Sequence, residues 1–250
     1  MANSQSGESL LKRIVKIIGD FETYNTTRSP SALARRTGIP LTTTYRLVRE
    51  LVDEGLLARD DDDNIRLGVK LWEFGSRSTL IRLREYALPF MEDVQTEVRQ
   101  HTTLGVLDHD ELLYIERIGL GSPVVSIASI AARLPAHASS SGLVLLAHAP
   151  LDYQDAFLQR TLPKLTNNTI TNSSEVRRRL AEIRQVGYAF ERGVIVPESS
   201  GVAVPVRDRT GDVVAALSVI VPQGEENIPT TVPVLKTAAR GISRSLGWRG

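Results

Sequence analysis

Apolar residues recur along this 250-residue chain in a helical rhythm over the first hundred positions and in a mixed one after them. Leu10, Ile14, Ile17, Ile18 and Phe21 share one face at spacings of three and four, which predicts an amphipathic helix of about three turns. Residues 29–68 then read as helix, tight turn, helix and hairpin. Ser29 and Pro30 open the first of these helices, Gly38 and Pro40 break it, and the second closes at Gly55. Leu47, Val48 and Leu51 fall on its inner face and leave Thr42, Thr43, Tyr45, Arg46 and Arg49 outside. Leu56 to Ala58 and Ile65 to Leu67 flank a polar turn, Asp60 to Asn64, as the arms of a hairpin. Val69 to Phe74 and Ser78 to Val98 are helical again. Proline removes a backbone donor and disfavours helix at the residue before it, so Leu88-Pro89 predicts a linker helix ending near Ala87 and a new helix from Pro89.

Beyond Thr102 the texture changes. TLGVLDHDELLYIERI predicts two strands around a turn with His109 and Asp110 at its tip. PVVSIASI reads as a strand and GLVLLAHA as a helix. Residues 152–163 and 174–186 have helical patterns, the second capped by Ser173 or Ser174 and closed at Gly187. Tyr188 to Val196, Gly201 to Arg207 and Val213 to Val221 read as strands, the last two joined by the turn Asp208 to Gly211, and a helix from Val232 to Leu246 follows. The expected organisation is a disordered tail (1–8), a winged helix-turn-helix (9–68), linker helices (69–87) and an α+β domain with an antiparallel sheet (88–250).

Charge sharpens the first of these domains. Between Arg28 and Arg49 lie five arginines (Arg28, Arg35, Arg36, Arg46 and Arg49) and no acidic residue, although the whole chain carries a net charge of only +1. Local positive charge on a helix pair followed by a hairpin points to double-stranded DNA, since neutralising phosphates drives such affinity and the second helix of this motif enters the major groove. Arg28, Ser31, Arg35, Thr42, Thr43, Thr44, Tyr45, Arg46 and Arg49, with Arg66 on the hairpin, are the expected DNA-binding residues; the threonines open a helix, where amides and dipole favour phosphate. With 42% hydrophobic and 24% charged residues the composition is that of a globular protein. No cysteine, no leader-like apolar segment and no membrane-length run are present, so a cytoplasmic protein without membrane partners is expected.

Catalytic chemistry finds little support. His137 precedes Ser139, Ser140 and Ser141, yet no G-x-S-x-G elbow accompanies them. No histidine pair has the i, i+4 spacing of a helical zinc site, and the Asp60 to Asp63 run lacks the glycine and distal glutamate of a calcium loop. No enzyme activity, metal or cofactor is expected. Small hydroxyl residues beside apolar strands instead suit a small-ligand pocket.

LARRTGIPLTTTYRLVREL at 33–51, IRLG at 65–68, RLPAHASSSG at 133–142 and VAVPVRDRTGDVVAALSV at 202–219 together resemble the IclR family of bacterial transcriptional regulators, over about Leu10 to Leu246. The resemblance implies a GAF-like effector-binding domain, homodimers often paired into dimers of dimers, palindromic operators and control by a small organic or aromatic acid. By position it places the effector pocket on Ser126, Leu134, Ser140, Ser141, Glu191, Gly201, Ser218 and Ile220. Gly201 stands where many members carry a cysteine, and Glu198 where a glycine often precedes it. Two readings stay open: a ligand-responsive regulator, and a DNA-binding protein whose second domain only oligomerises.

Overall fold

A computed structural model describes residues 8–21, 26–119 and 129–250. The chain divides into two compact units, residues 1–81 and 82–250.

The first unit is three helices and a wing. In α1 (Leu10–Gly19) the Ser9 side chain accepts from the Lys12 amide. Ser29 caps α2 (Pro30–Thr37) through the Ala32 amide, with Pro30 in the first turn, and Gly38 ends that helix at φ 70°. α3 (Leu41–Asp53) follows. The wing pairs β1 (Leu57–Arg59) with β2 (Ile65–Leu67), and Arg28 adds an isolated bridge to Ile65. Asp60 Oδ1 accepts from the amides of Asp62 and Asn64 at 3.0 and 2.8 Å, so the acidic run is a turn that bonds to itself at the wing tip. Ile17, Leu33, Leu47, Leu57 and Ile65 are fully buried and knit helices to wing. Where the wing leaves α3, a Cβ on Gly68 would collide with the Gly55 carbonyl, so only glycine fits. α4 (Val69–Gly75) buries no residue, and its Trp72 is 73% exposed.

The proline break does not occur. α5 runs unbroken from Thr79 to Val98 with Pro89 inside it. Leu83, Ala87, Met91 and Val94 form one buried stripe through that position. Three or four buried side chains at about 1.5 to 3 kcal/mol each outweigh the roughly 3 kcal/mol that an interior proline costs.

The second unit is built on a six-stranded antiparallel sheet of order β5-β4-β3-β8-β7-β6. Its strands are β3 (His101–Asp108), β4 (Glu111–Ile118), β5 (Arg133–Pro135), β6 (Ala189–Arg192), β7 (Ser199–Arg207) and β8 (Val213–Pro222). The PVVSIASI strand falls largely outside the described residues. Helices α6 (Ser140–His148), α7 (Leu151–Leu158) and α8 (Ser173–Val186) pack with Ala189, Ala203 and Ala216 in one cluster on one face of the sheet. Strand alternation sends Val202, Val204 and Leu217 to the other face, where α9 (Ile228–Ser245) packs on β7. Buried Glu116 reaches α5 there, with its Oε2 2.5 Å from Arg84 Nε, although the N–H is not aimed along that line.

Two local expectations are corrected. Asn172, not a serine, caps α8: its Oδ1 accepts from the Ser174 and Glu175 amides, while the Ser173 hydroxyl donates to the Leu158 carbonyl. β6 stops at Arg192 rather than Val196, because Gly193 turns at φ 58° and the next carbonyls accept from the Thr166 and Thr169 hydroxyls. No helix among the described residues is long and apolar enough to cross a membrane.

Candidate functional site

The outer face of α3 carries Thr42, Tyr45, Arg46 and Arg49, all exposed, with Thr43 half-buried beside them. Arg46 pairs with Glu50 at 2.8 Å and Arg49 lies 3.9 Å from Asp53, both one turn along the same helix. Exposed pairs of this kind are worth about 0.3 to 0.5 kcal/mol, so a phosphate displaces the acid readily. Arg35 and Arg66 are exposed and form no ion pair among the described residues.

Three expected DNA contacts have inward commitments. Thr44 is fully buried, and its hydroxyl donates to the carbonyls of Ile39 and Pro40, so it locks the start of α3 and does not face a phosphate. Arg28 donates from Nε to Oδ2 of buried Asp20 at 3.3 Å, and Arg36 holds Oδ1 at 2.5 Å. Ser31 shares a 3.1 Å hydrogen bond with Ser29 at the start of α2.

In the second unit, sheet register lines up the effector residues. Glu191 lies opposite Gly201, and Gly201 opposite Ile220; one step along, Ala203 lies opposite Ser218, and Ser218 opposite Thr103. Cross-strand partners share a face, here the one under α6. A Cβ on Gly201 would come within 2.6 Å of Ser140 Oγ, so the missing side chain is the space into which Ser140 points. Leu134 and Ile220 are half-buried against the apolar cluster of this face, and Ser126 lies outside the described residues.

The three serines divide their work. Ser139 caps α6 by accepting from the Gly142 amide at 3.0 Å. Ser141 donates to Ser218 Oγ at 2.8 Å, and Ser218 shares a 2.6 Å bond with Thr103 Oγ1, which neighbours the phenol of Tyr114. Burial pushes that phenol well above its ordinary value, so it stays neutral. This hydroxyl chain ties α6 to three strands. Of the three serines, only Ser140 has a hydroxyl with no hydrogen bond among the described residues, at 7% exposure of the residue. Its amide and that of Ser141 open α6, where helix geometry supplies no carbonyl partner.

Glu191 is not a lone charge. Arg179 of α8 donates from Nε to its Oε1 at 2.8 Å and from Nη2 to the Phe190 carbonyl at 2.8 Å. Burial raises the Glu191 carboxyl above its usual range while Arg179 pulls it back down. Arg179, Thr103 and Tyr114 were missed in the sequence reading. The signal for Arg179 was its helical phase, beside the stripe Val176, Leu180 and Ile183; Thr103 stands in the polar run His101 to Thr103 at the start of β3, which gave no such signal.

The IclR helix-turn-helix model matches residues 10–61, and that for the bacterial transcriptional regulator IclR C-terminal domain matches residues 78–244. The chain belongs to the IclR family. An IclR homologue from Microbacterium hydrocarbonoxydans, solved in complex with 4-hydroxybenzoate, is 42% identical, with 95% of this chain and 99% of that one covered at a TM-score of 0.87. The IclR protein of Thermotoga maritima superimposes at 0.77 with 26% identity over 95% of this chain and 98% of that one. Among IclR regulators, KdgR of Escherichia coli is 28% identical, covering 94% of this chain and 92% of its own length. The α+β architecture and the winged helix-turn-helix expected from the sequence are those of this family.

Proposed function

We propose that this IclR-family transcriptional regulator binds operator DNA through the outer face of α3 and the Arg66 wing, and that a small acid held beneath α6 controls the binding. The observation that carries the effector reading is Ser140: a buried residue at a helix N-terminus whose hydroxyl makes no hydrogen bond among the described residues and stands in the gap left by Gly201. Helix-start amides, a hydroxyl and the dipole suit a carboxylate. Glu191, tied to Arg179, does not repel such an acid as a free charge; it offers an acceptor at the side of the gap, which favours an acid that also bears a hydroxyl. The relative crystallised with 4-hydroxybenzoate supports that class.

A thermal-shift series with benzoate, 4-hydroxybenzoate, glyoxylate and neutral 4-hydroxybenzyl alcohol tests it. A ligand at a hundred times its Kd stabilises the folded protein by about 2.7 kcal/mol. The shift is expected with the aromatic acids, largest with the hydroxylated one, and absent in Gly201→Val, whose side chain fills the gap. If no compound acts, the reading of a second domain that only oligomerises takes its place.

The same proposal includes a homodimer. Trp72 and Phe74 of α4 and Leu11 and Val15 of α1 are all more than half exposed, far more apolar surface than a lone winged domain needs. Two recognition helices on half-sites give a palindrome its specificity. Trp72→Glu is expected to lower the sedimenting mass and the operator affinity together.

A further inference from the structure

Strand β6 pairs with β7 only from Ser200 to Ala203, so the outer edge of β7 between Val204 and Arg207 has no strand beside it among the described residues. Pro205 has no amide to offer there, which closes the edge to strand addition. The edge instead forms one side of a cavity of about 320 Å³, completed by α9, by Gly187 at the end of α8 and by Trp248. The Trp248 amide donates to the Ser243 carbonyl at 2.9 Å, which turns the residues after α9 back so that the indole joins the lining. Three cations line this cavity: Arg207 of β7, and Lys236 and Arg240 one turn apart on α9. A Cβ on Gly187, at φ 75°, would lie 3.4 Å from Lys236 Nζ, so the bare glycine gives the ammonium its room. Each cation is oriented by a carbonyl: Arg207 Nη1 donates to that of Gly211 at 2.7 Å, Lys236 Nζ to that of Val186 at 2.9 Å, and Arg240 Nε to that of Lys236 at 3.3 Å. None of the three forms an ion pair among the described residues, and no carboxylate lines the cavity. Asp208 and Asp212, in the turn beside Arg207, are bonded to the Thr210 hydroxyl instead. A carbonyl orients a cation without cancelling its charge, so the cavity keeps an uncompensated positive field.

We propose that this cavity binds the phosphate monoester of a small metabolite, at a site separate from the one beneath α6. Such an ester is close to a dianion at neutral pH and offers three strong acceptor oxygens, where a carboxylate offers two oxygens and a single charge. Guanidinium forks match phosphate oxygens in pairs, and the lysine adds a point charge, so the mixed set of donors suits phosphate better than an isolated carboxylate. Val204, Pro205 and the indole of Trp248 leave an apolar side for the organic part of the ligand. A phosphate held by all three cations bridges β7 to α9. The inference goes beyond the regulator reading: it uses none of the residues placed beneath α6 and stands whether or not an acid binds there.

The test is a calorimetric titration of the full chain carrying Gly201→Val, in which the gap beneath α6 is filled, with phenyl phosphate, inorganic phosphate and succinate at low salt. Because that background removes the other site, failure here leaves the effector reading untouched. Phenyl phosphate is expected to bind with a millimolar or tighter Kd, and inorganic phosphate about tenfold more weakly for want of a contact to Trp248. Arg240→Gln and Lys236→Gln should each weaken phenyl phosphate by about tenfold or more, the loss of one charge-assisted contact. Trp248→Ala should bring phenyl phosphate down to the level of inorganic phosphate and leave the latter unchanged. Arg240 holds only a carbonyl of its own helix, so its variant reads the cavity and not the fold. No heat from millimolar phenyl phosphate, succinate binding as tightly as the ester, or an Arg240→Gln variant that binds like its parent would each overturn the proposal. Should Gly201→Val fail to fold, the same series in the wild-type chain decides, because only binding in this cavity depends on Arg240 and Trp248.

Discussion

In the first unit the buried polar residues, among those described, are Asp20 and Thr44; in the second they include His101, Thr103, Glu116, His137, Ser140, Ser141, Glu191 and Ser218. The first unit keeps its remaining charge on the surface, in short-range pairs along α3 that cost little to open. The second threads hydroxyls and an ion pair through its interior, where an unmade bond is expensive. One unit is arranged to exchange its partners with something outside, and the other to hold a shape around something inside. Stability and function should therefore respond differently to mutation in each.

The largest stability effect belongs to the apolar core of the first unit. Leu47→Ala empties a fully buried site where α3 meets the wing, and a loss of about 2 to 5 kcal/mol is expected in urea unfolding. In the second unit Ser218→Ala strands the Ser141 hydroxyl and leaves Thr103 with only the Tyr114 phenol, at about 1 to 3 kcal/mol. Thr103→Val added to it should cost less than its own separate penalty, because one of the bonds it breaks is already gone. Additive losses would show that the four hydroxyls do not act as one chain.

That contrast also explains what was legible in the chain. The first unit rests on contacts close in sequence: Ser29 and Pro30, Gly38, the 47-48-51 stripe and the self-bonded wing tip each announce themselves locally. The effector region does not. Ser218 meets Ser141 from 77 residues away and Thr103 from 115, and no local pattern marks such partners. Family position picked out Ser140, Gly201 and Glu191, but not that Ser141 and Ser218 already satisfy each other or that Arg179 neutralises Glu191. Pro89 misled for a related reason: local backbone preference was outweighed by a buried stripe that only the tertiary structure reveals.

All four histidines lie in the second unit. Burial depresses His101, His137 and His148 below the ordinary histidine value, with Arg117 adding to the effect at His101. A base whose pKa is lower when folded binds more protons when unfolded, so this stability is present above about pH 6.5 and is lost as pH falls toward the folded values. Glu191, raised by burial, acts in the opposite sense, but as one group against three. Acidification from pH 7.5 to 5.5 should lower the melting temperature of the second unit and leave the first nearly unmoved. His137→Gln, which can keep the bond to the Pro163 carbonyl, should flatten the dependence. Equal responses in both units would remove the distinction.

The smallest effect on stability should accompany the most informative effect on binding. Arg46→Gln removes an exposed ion pair with Glu50 and is expected to change unfolding by no more than about 0.5 kcal/mol. If Arg46 contacts phosphate, the variant weakens binding to every sequence alike and lowers the salt slope by about one; if it reads a base edge, it relaxes one operator position at about 1 to 3 kcal/mol. Glu50→Gln separates these from a merely structural arginine. It frees Arg46 from its in-helix competitor and takes a negative charge away from the phosphates, so operator affinity should rise while stability stays within the same half kilocalorie. The Arg49 pair with Asp53 is longer, at 3.9 Å, so Asp53→Gln should give a smaller gain. An operator titration at fixed salt in which neither Arg46→Gln nor Glu50→Gln moves the affinity would place the DNA somewhere other than the outer face of α3.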